Sequence, residues 1–119
     1  MSHKSNSVSI HPYFKVHPGK LETFKAAFPA FIEKTAEEKA CLYYGFTSSG
    51  NIVHCREAYT DAEGLLAHLA NVTELLDEAL KISDLHRLEI HGPAAELEKL
   101  REPLQGLDPD WFVYEQGLQ

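Results

Sequence analysis

Residues 41–59 read CLYYGFTSSGNIVHCREAY, two strand-like runs separated by a short polar segment. The segment at 48–51, which contains Gly50, is typical of a tight hairpin turn. The aromatic and β-branched residues on both sides of it favour strands. We therefore expect an antiparallel hairpin, formed by residues 41–48 and 51–59, in the middle of the fold.

The segment before this hairpin contains one strand and one helix. Residues 7–16 alternate between apolar and polar side chains, and Pro12 interrupts them, so we expect a strand with a local bulge. Apolar residues between 21 and 38 recur at helical spacing. Pro29 is expected to kink that helix. The kink either leaves a gap for a ligand or simply follows the twist of the sheet.

The segment after the hairpin predicts a second helix. Thr60 and Glu63 have the spacing of a capping box at its start, and a break is expected near Asn71. The remaining predicted elements are a strand at 85–91, a short helix that begins at Pro93, and a strand at 111–115. The order β-α-β-β-α-β predicts an α+β, ferredoxin-like fold, in which two helices cover one face of an antiparallel sheet.

Length and composition indicate a single domain of 119 residues. We expect residues 1–6 to be disordered and residues 7–119 to form the domain, with 93–119 as a C-terminal extension. The net charge of −7 and the lack of a basic stripe argue against nucleic acid as a partner. No apolar run approaches the length of a membrane span, and no signal peptide precedes the domain, which predicts a cytoplasmic protein. We interpret Cys41 and Cys55 as reduced core residues.

The predicted strands are apolar or aromatic on both faces. Tyr43 and Tyr44, for example, are adjacent and therefore point in opposite directions. A face that is left wet would forfeit about 25 cal/mol for each square ångström of apolar surface that could be buried. We therefore expect a homodimer in which a second copy covers the face without helices.

Several segments together resemble the antibiotic-biosynthesis-monooxygenase-like (ABM) domains of the dimeric α+β barrel superfamily. They are VHPGK at 16–20, EKACLYY at 38–44, EAYTD at 57–61 and His68, which lies eleven residues after Glu57. The resemblance covers residues 7–92, and Lys39-Ala40 replaces the Pro-Gly that is usual in the family.

The resemblance implies a cofactor-independent monooxygenase. Its substrate would be a small phenolic or quinol-type molecule in a pocket between sheet and helices, with His68 as the base and Tyr59 as the orienting group. The fold also carries other activities, so the alternative is a non-enzymatic, small-molecule-binding or stress-associated homodimer. Heme handling, with a histidine as axial ligand, is a third hypothesis.

The residues themselves leave the roles of the candidate catalytic group open. His68 borders the apolar stripe of its predicted helix, so it is either a base in a pocket or a core histidine bonded to a carbonyl group. Glu57 and Tyr59 lie on one strand face. A buried Glu57 needs a partner, such as His68 or a group of a second chain, and it could equally form a structural ion pair.

Three further histidines, His11, His54 and His91, lie on strands that are neighbours in this fold. They have none of the short spacings that are typical of metal ligands, so we expect no metal site. We also find no phosphate-binding glycine loop and no nucleophile elbow in the sequence.

Overall fold

A computed structural model of the chain describes residues 6–118. Its elements are β1 Val8–Val16, α1 Leu21–Ala26, α2 Phe28–Thr35, β2 Cys41–Ser49, β3 Ile52–Tyr59, α3 Ala62–Asn71, α4 Thr73–Ala79, β4 Ser83–Gly92, α5 Ala94–Leu104, a 3₁₀ turn Gln105–Leu107 and β5 Asp110–Val113. The expected α+β, ferredoxin-like arrangement is confirmed. The disordered segment predicted at 1–6 falls, except for Asn6, outside the described residues.

The five strands form one sheet in the order β2-β3-β1-β4-β5. All neighbouring pairs are antiparallel except β4 and β5, which are parallel because α5 returns the chain to the same end of the sheet. The predicted hairpin between β2 and β3 is present. Ser49 pairs with Ile52, and Gly50 in the two-residue turn has a φ of 60°, a conformation that glycine adopts without steric cost.

The helix predicted at 21–38 is two helices, α1 and α2, with Ala27 between them. Pro29 has no N–H group and is found in the first turn of α2, where no intrahelical donor is needed, so the chain restarts a helix there. The break expected near Asn71 is confirmed, because α3 ends at Asn71 and α4 begins at Thr73. The helical layer therefore consists of short segments.

Two predicted helix starts are shifted by one residue. Asp61, and not Thr60, is the N-cap of α3, and its side chain accepts a hydrogen bond of 2.8 Å from the backbone N–H of Gly64. Pro93 precedes α5 as its N-cap residue instead of occupying the first helical position. In both cases the elements themselves are where the sequence predicts them.

Irregularities in two strands change which side chains share a face. The bulge expected at Pro12 appears one step later, between Tyr13 and Phe14, in the pairing of β1 with β4. A second irregularity between Cys41 and Tyr43 turns the Cys41 side chain toward the helices, where it packs on the core, although strict alternation predicts the opposite face. Both cysteines are free thiols, as expected.

The helices cover one face of the sheet, and the core lies between the two layers. Buried side chains of β1 such as Ile10 and Phe14 point into this core. The intervening His11 and Tyr13 lie on the opposite, uncovered face and are partly exposed. None of the helices within residues 6–118 is both long and apolar enough to cross a membrane.

Candidate active site

An apolar cavity of about 70 Å³ lies between the sheet and the helical layer. Its walls include Phe14 of β1, Phe46 of β2, and Leu69 and Leu76 of the two helices α3 and α4. Among the residues that line it, those with polar side-chain atoms are Tyr44, Cys55, Glu57 and His68. The polar groups therefore form one small cluster in a cavity that otherwise offers only hydrocarbon.

The strand register brings Glu57 to the cavity. It pairs with Ile10 of β1 on one side and with Tyr44 of β2 on the other, and all three point toward the helices. Its Oε1 accepts a hydrogen bond of 2.5 Å from the hydroxyl of Tyr59, two residues further along β3. Glu57 is thus a carboxyl group that a central strand carries into the core.

His68 approaches Glu57 from the helical layer. Its Nε2 lies 3.3 Å from Glu57 Oε1, and its side chain is 3% exposed. The position of α3 is fixed near its start by Gly64, where a Cβ atom would lie only 2.6 Å from the Cβ of Ala40. The close approach of helix and chain at Gly64 brings the ring of His68, one turn further on, within reach of the sheet.

The other nitrogen of the His68 ring contacts a second carboxylate. Nδ1 lies 2.9 Å from Oε2 and 3.1 Å from Oε1 of Glu38, which belongs to the loop between α2 and β2. The amide of Asn71 donates hydrogen bonds to Glu38 Oε2 at 2.8 Å and to the carbonyl oxygen of Lys34 at 3.1 Å. An imidazole between two carboxyl groups can gain a proton on one side and lose one on the other.

Burial moves the pKa values of the cavity pair in opposite directions. It raises the pKa of Glu57 from 4.5 to about 7, although hydrogen bonds from Tyr59 and Cys55 act against the shift. It lowers the pKa of His68, while the carboxylate of Glu38 acts to raise it. Near neutral pH the pair therefore combines a neutral imidazole with a carboxyl group that can hold or release a proton.

Two tyrosines surround the pair, and only one of them lines the cavity. The ring of Tyr44 lies 5.2 Å from that of His68 and forms part of the wall. Tyr59 is fully buried behind Glu57, and its ring centroid is 5.0 Å from that of His68. Burial raises the pKa of both phenols, so both remain neutral hydrogen-bond donors.

The structure brings the three predicted site residues, Glu57, Tyr59 and His68, into one cluster. Of the two partners that the sequence leaves open for Glu57, His68 lies 3.3 Å from its carboxyl group, and the catalytic roles of the three residues remain predictions. Sequence reasoning missed Glu38, because a loop glutamate thirty residues before a histidine has no spacing that would signal a contact. It also missed Tyr44 as part of the cavity wall.

The three strand histidines lie on the uncovered face, away from the cavity. The rings of His11 and His54 stack with centroids 5.5 Å apart, and His11 meets the ring of His91 edge-on at 4.8 Å. Within residues 6–118, no group of three or more histidine, cysteine or acidic side chains could hold a metal ion. These histidines therefore form a row of aromatic rings across the sheet.

No protein-family model matches the chain, and no curated protein sequence matches it either. Several solved structures match the chain. The crystal structure of MupZ from Pseudomonas fluorescens has a TM-score of 0.93 and 47% identity, over 97% of this chain and 90% of that one.

More distant structures share the fold. A conserved protein from Methanosarcina mazei Go1 has a TM-score of 0.70 and 20% identity, over 76% of this chain and 95% of that one. A structure described as an antibiotic biosynthesis monooxygenase has a TM-score of 0.62 and 17% identity, over 70% of this chain and 92% of that one. The chain therefore belongs to the family of MupZ, and it has the fold of the antibiotic-biosynthesis-monooxygenase-like proteins.

Proposed function

We propose that the chain is an enzyme that transfers protons to and from a small apolar molecule in the cavity, with Glu57 and His68 as the reacting pair. One observation carries the proposal: two titratable groups lie 3.3 Å apart at the polar end of an apolar cavity. Burial raises the pKa of Glu57 and lowers that of His68, which suits an acid and a base that act near neutral pH.

The reaction that we propose is the cofactor-independent oxygenation of a phenol or hydroquinone that has a free ring C–H. Nε2 of His68 takes the phenolic proton, and the anion passes an electron to O₂. The two radicals join at the ring carbon to form a peroxide, and Glu57 protonates its outer oxygen. The ring C–H proton then passes to the Glu57 carboxylate as the O–O bond breaks, and the departing hydroxide takes the proton held by His68 and leaves as water. One oxygen atom enters the ring and the other becomes water, so the substrate loses the four electrons that O₂ gains.

The apolar walls support this chemistry in two ways. Phe46 and its neighbours offer flat rings against which an aromatic substrate can stack; Phe28 already stacks on Phe46 at 4.0 Å. Exclusion of water strengthens the interaction of a substrate anion with the groups around it. A substrate larger than the cavity of about 70 Å³ enters only when wall side chains move.

A second candidate function is proton transfer without oxygen, as in an isomerisation, addition or elimination. The raised pKa of Glu57 favours it, since a carboxyl group that holds its proton near pH 7 can act as a general acid. In this reaction His68 removes a proton and Glu57 supplies one, and the substrate undergoes no net oxidation.

Oxygen uptake with a panel of hydroquinones tests the first candidate. We expect uptake by the wild type and a loss of about a hundredfold or more in His68→Gln and Glu57→Gln. The exposed His86 provides the matched control, and His86→Gln should keep the wild-type rate. Equal rates in His68→Gln and the wild type would remove His68 from the mechanism.

The same panel without oxygen separates the remaining functions. Turnover that continues under nitrogen supports the second candidate. Ligands that raise the unfolding temperature without being converted support the non-enzymatic binding protein that the sequence leaves as the alternative. A Soret band that shifts when hemin is titrated would instead indicate heme binding, with histidine as its ligand.

The proposed active form is a homodimer that buries the uncovered sheet face. Tyr43 on β2 and Phe112 on β5 are both 41% exposed on the described chain, and the stacked histidines lie between them. Aromatic surface of this kind is what a second copy would cover. No partner other than a second copy is needed to explain it.

Sedimentation at micromolar concentration tests the dimer. We expect Tyr43→Asp to dissociate it, because a charge on the uncovered face would have to be buried without a partner. Ile32→Asp is the matched control, since Ile32 is 48% exposed on the helical side. A stable, folded wild-type monomer would contradict the proposal.

A further inference from the structure

We propose that Glu38 is the proton port of the site: it connects the buried Glu57–His68 pair with solvent through the two nitrogens of the His68 ring. The inference rests on the proposed function, because it assigns a route to the protons that the pair exchanges. The geometry that carries it is the placement of one imidazole between two carboxyl groups that belong to different elements.

The contacts form a continuous chain of proton carriers. Nδ1 of His68 faces both oxygens of Glu38, at 2.9 and 3.1 Å. Nε2, on the other side of the same ring, faces Glu57 Oε1 at 3.3 Å. The contact with Glu38 is a hydrogen bond and the contact with Glu57 is an ion-pair distance. Because a neutral imidazole accepts a proton on one nitrogen and releases one from the other, the ring can pass a proton between the two carboxyl groups.

Exposure gives the relay an outer and an inner end. The side chain of Glu38 is 12% exposed, that of His68 is 3% exposed and that of Glu57 is 6% exposed and lines the cavity. Asn71 holds the outer carboxylate in place with its bond of 2.8 Å to Oε2, and Asn71 itself is partly exposed. Solvent therefore reaches Glu38 first.

The resting hydrogen bonds define the direction of each step. In the tautomer whose Nδ1–H donates to Glu38, Nε2 has the free lone pair. When a proton from the substrate side reaches Nε2, the Nδ1 proton passes to Glu38 and then to water. The later acid step runs in the opposite direction and restores the tautomer, so the ring returns to its starting state with no net proton gained.

The other groups around His68 do not compete for the proton. Tyr44 from β2 and Tyr59 from β3 face the ring as neutral phenols. Cys41 lies near both carboxylates, and its pKa is raised to about 11 by burial and by Glu38 and Glu57, so it remains a thiol at neutral pH. The two carboxyl groups are then the proton exchange partners of the imidazole.

Nuclear magnetic resonance of the His68 ring tests the port without any substrate. We expect exchange of the Nδ1 proton with water to slow by about tenfold or more in Glu38→Gln, since an amide cannot carry the proton. The pKa of His68 should also fall, because the carboxylate that raises it is gone. Glu37→Gln, a change at an exposed neighbour, is the matched control and should leave both unchanged.

Chemical rescue separates a port from a purely structural residue. In Glu38→Ala, added formate should restore the exchange rate, because a small carboxylate can occupy the vacated position. If Glu38→Gln does not fold, Asn71→Ala provides the second variant, with an exchange rate between those of the wild type and Glu38→Ala. Exchange as fast as the wild type in Glu38→Ala, without formate, would overturn the proposal. An inactive wild type with slowed exchange in the variants would overturn only the proposed function.

Discussion

Tyr59 and Glu57 share a hydrogen bond of 2.5 Å between the tyrosine hydroxyl and Glu57 Oε1. The two residues are neighbours on one face of β3, so the bond is a direct result of strand alternation. Burial raises the pKa of Glu57, and the bond from Tyr59 acts against that rise. Tyr59 therefore influences how readily Glu57 gives up its proton, even though it does not line the cavity.

Removing the hydroxyl in Tyr59→Phe should raise the pKa of Glu57 above about 7, since the ionised carboxylate loses a donor. We also expect a loss of about 1 to 3 kcal/mol in the free energy of unfolding, because a buried acceptor is left without its partner. Carbon-13 resonances of the Glu57 carboxyl group report the pKa directly. An unaltered Glu57 titration in Tyr59→Phe would contradict the assignment.

Glu57 should make the protein less stable as the pH rises from 4.5 to 7. Its pKa in the folded state is about 7, above the ordinary value of 4.5, so the folded chain binds more protons than the unfolded chain in that range. The contribution of Glu57 to stability is fully present below pH 4.5 and is lost as the pH rises through 7. Glu57→Gln removes this loss. The free energy of unfolding of the variant, relative to that of the wild type, should therefore increase by up to about 3 kcal/mol between pH 4 and pH 8.

Urea unfolding at a series of pH values checks this prediction. Glu37→Gln serves as the control, because Glu37 is exposed and its removal should leave the pH dependence of the wild type unchanged. Curves for Glu57→Gln and the wild type that run parallel from pH 4 to pH 8 would show that the Glu57 pKa is not raised.

Gly64→Ala should destabilise the fold by about 1 to 3 kcal/mol, although alanine is the better helix former. The new Cβ would lie 2.6 Å from Ala40 Cβ and 3.4 Å from Tyr59 Cβ, so α3 has to move away from the sheet. His68, one turn along the same helix face, would move with it and lose contact with Glu57. Thermal unfolding measures the effect, and Gly106→Ala, with no atom within 4 Å of the new Cβ, should be nearly neutral.

His11 should limit stability in acid. Burial and the neighbouring His91 and His54 lower its pKa from 6.5 to about 4, so it stabilises the folded state above pH 6.5 and this contribution is lost as the pH falls toward 4. His11→Gln should therefore unfold at a lower pH than the wild type. Circular dichroism during acid titration checks the shift, with the exposed His86→Gln as control; an unchanged midpoint would sink the prediction.

Local patterns predicted the parts of this structure that depend on neighbours in the chain. Alternation located the strands of the hairpin and put Glu57 and Tyr59 on one face. The sequence predicts one kinked helix where the structure has two, α1 and α2. A kink and a new helix start at Pro29 give the same spacing of apolar residues, so the sequence pattern does not distinguish them. The contact of Glu38 with His68 depends on how the loop after α2 packs on α3, and no local pattern encodes such a contact.

The apolar walls of the cavity and the carboxylate that contacts His68 come from different kinds of chain segment. Strands and helices, such as β1 with Phe14 and α4 with Leu76, give the cavity its shape. The carboxylate of Glu38 comes instead from the loop that ends before Cys41. Loops accept substitutions that regular elements do not. A substitution in the loop would thus change the pKa of His68 without changing the shape of the cavity, and a substitution in the walls would do the reverse.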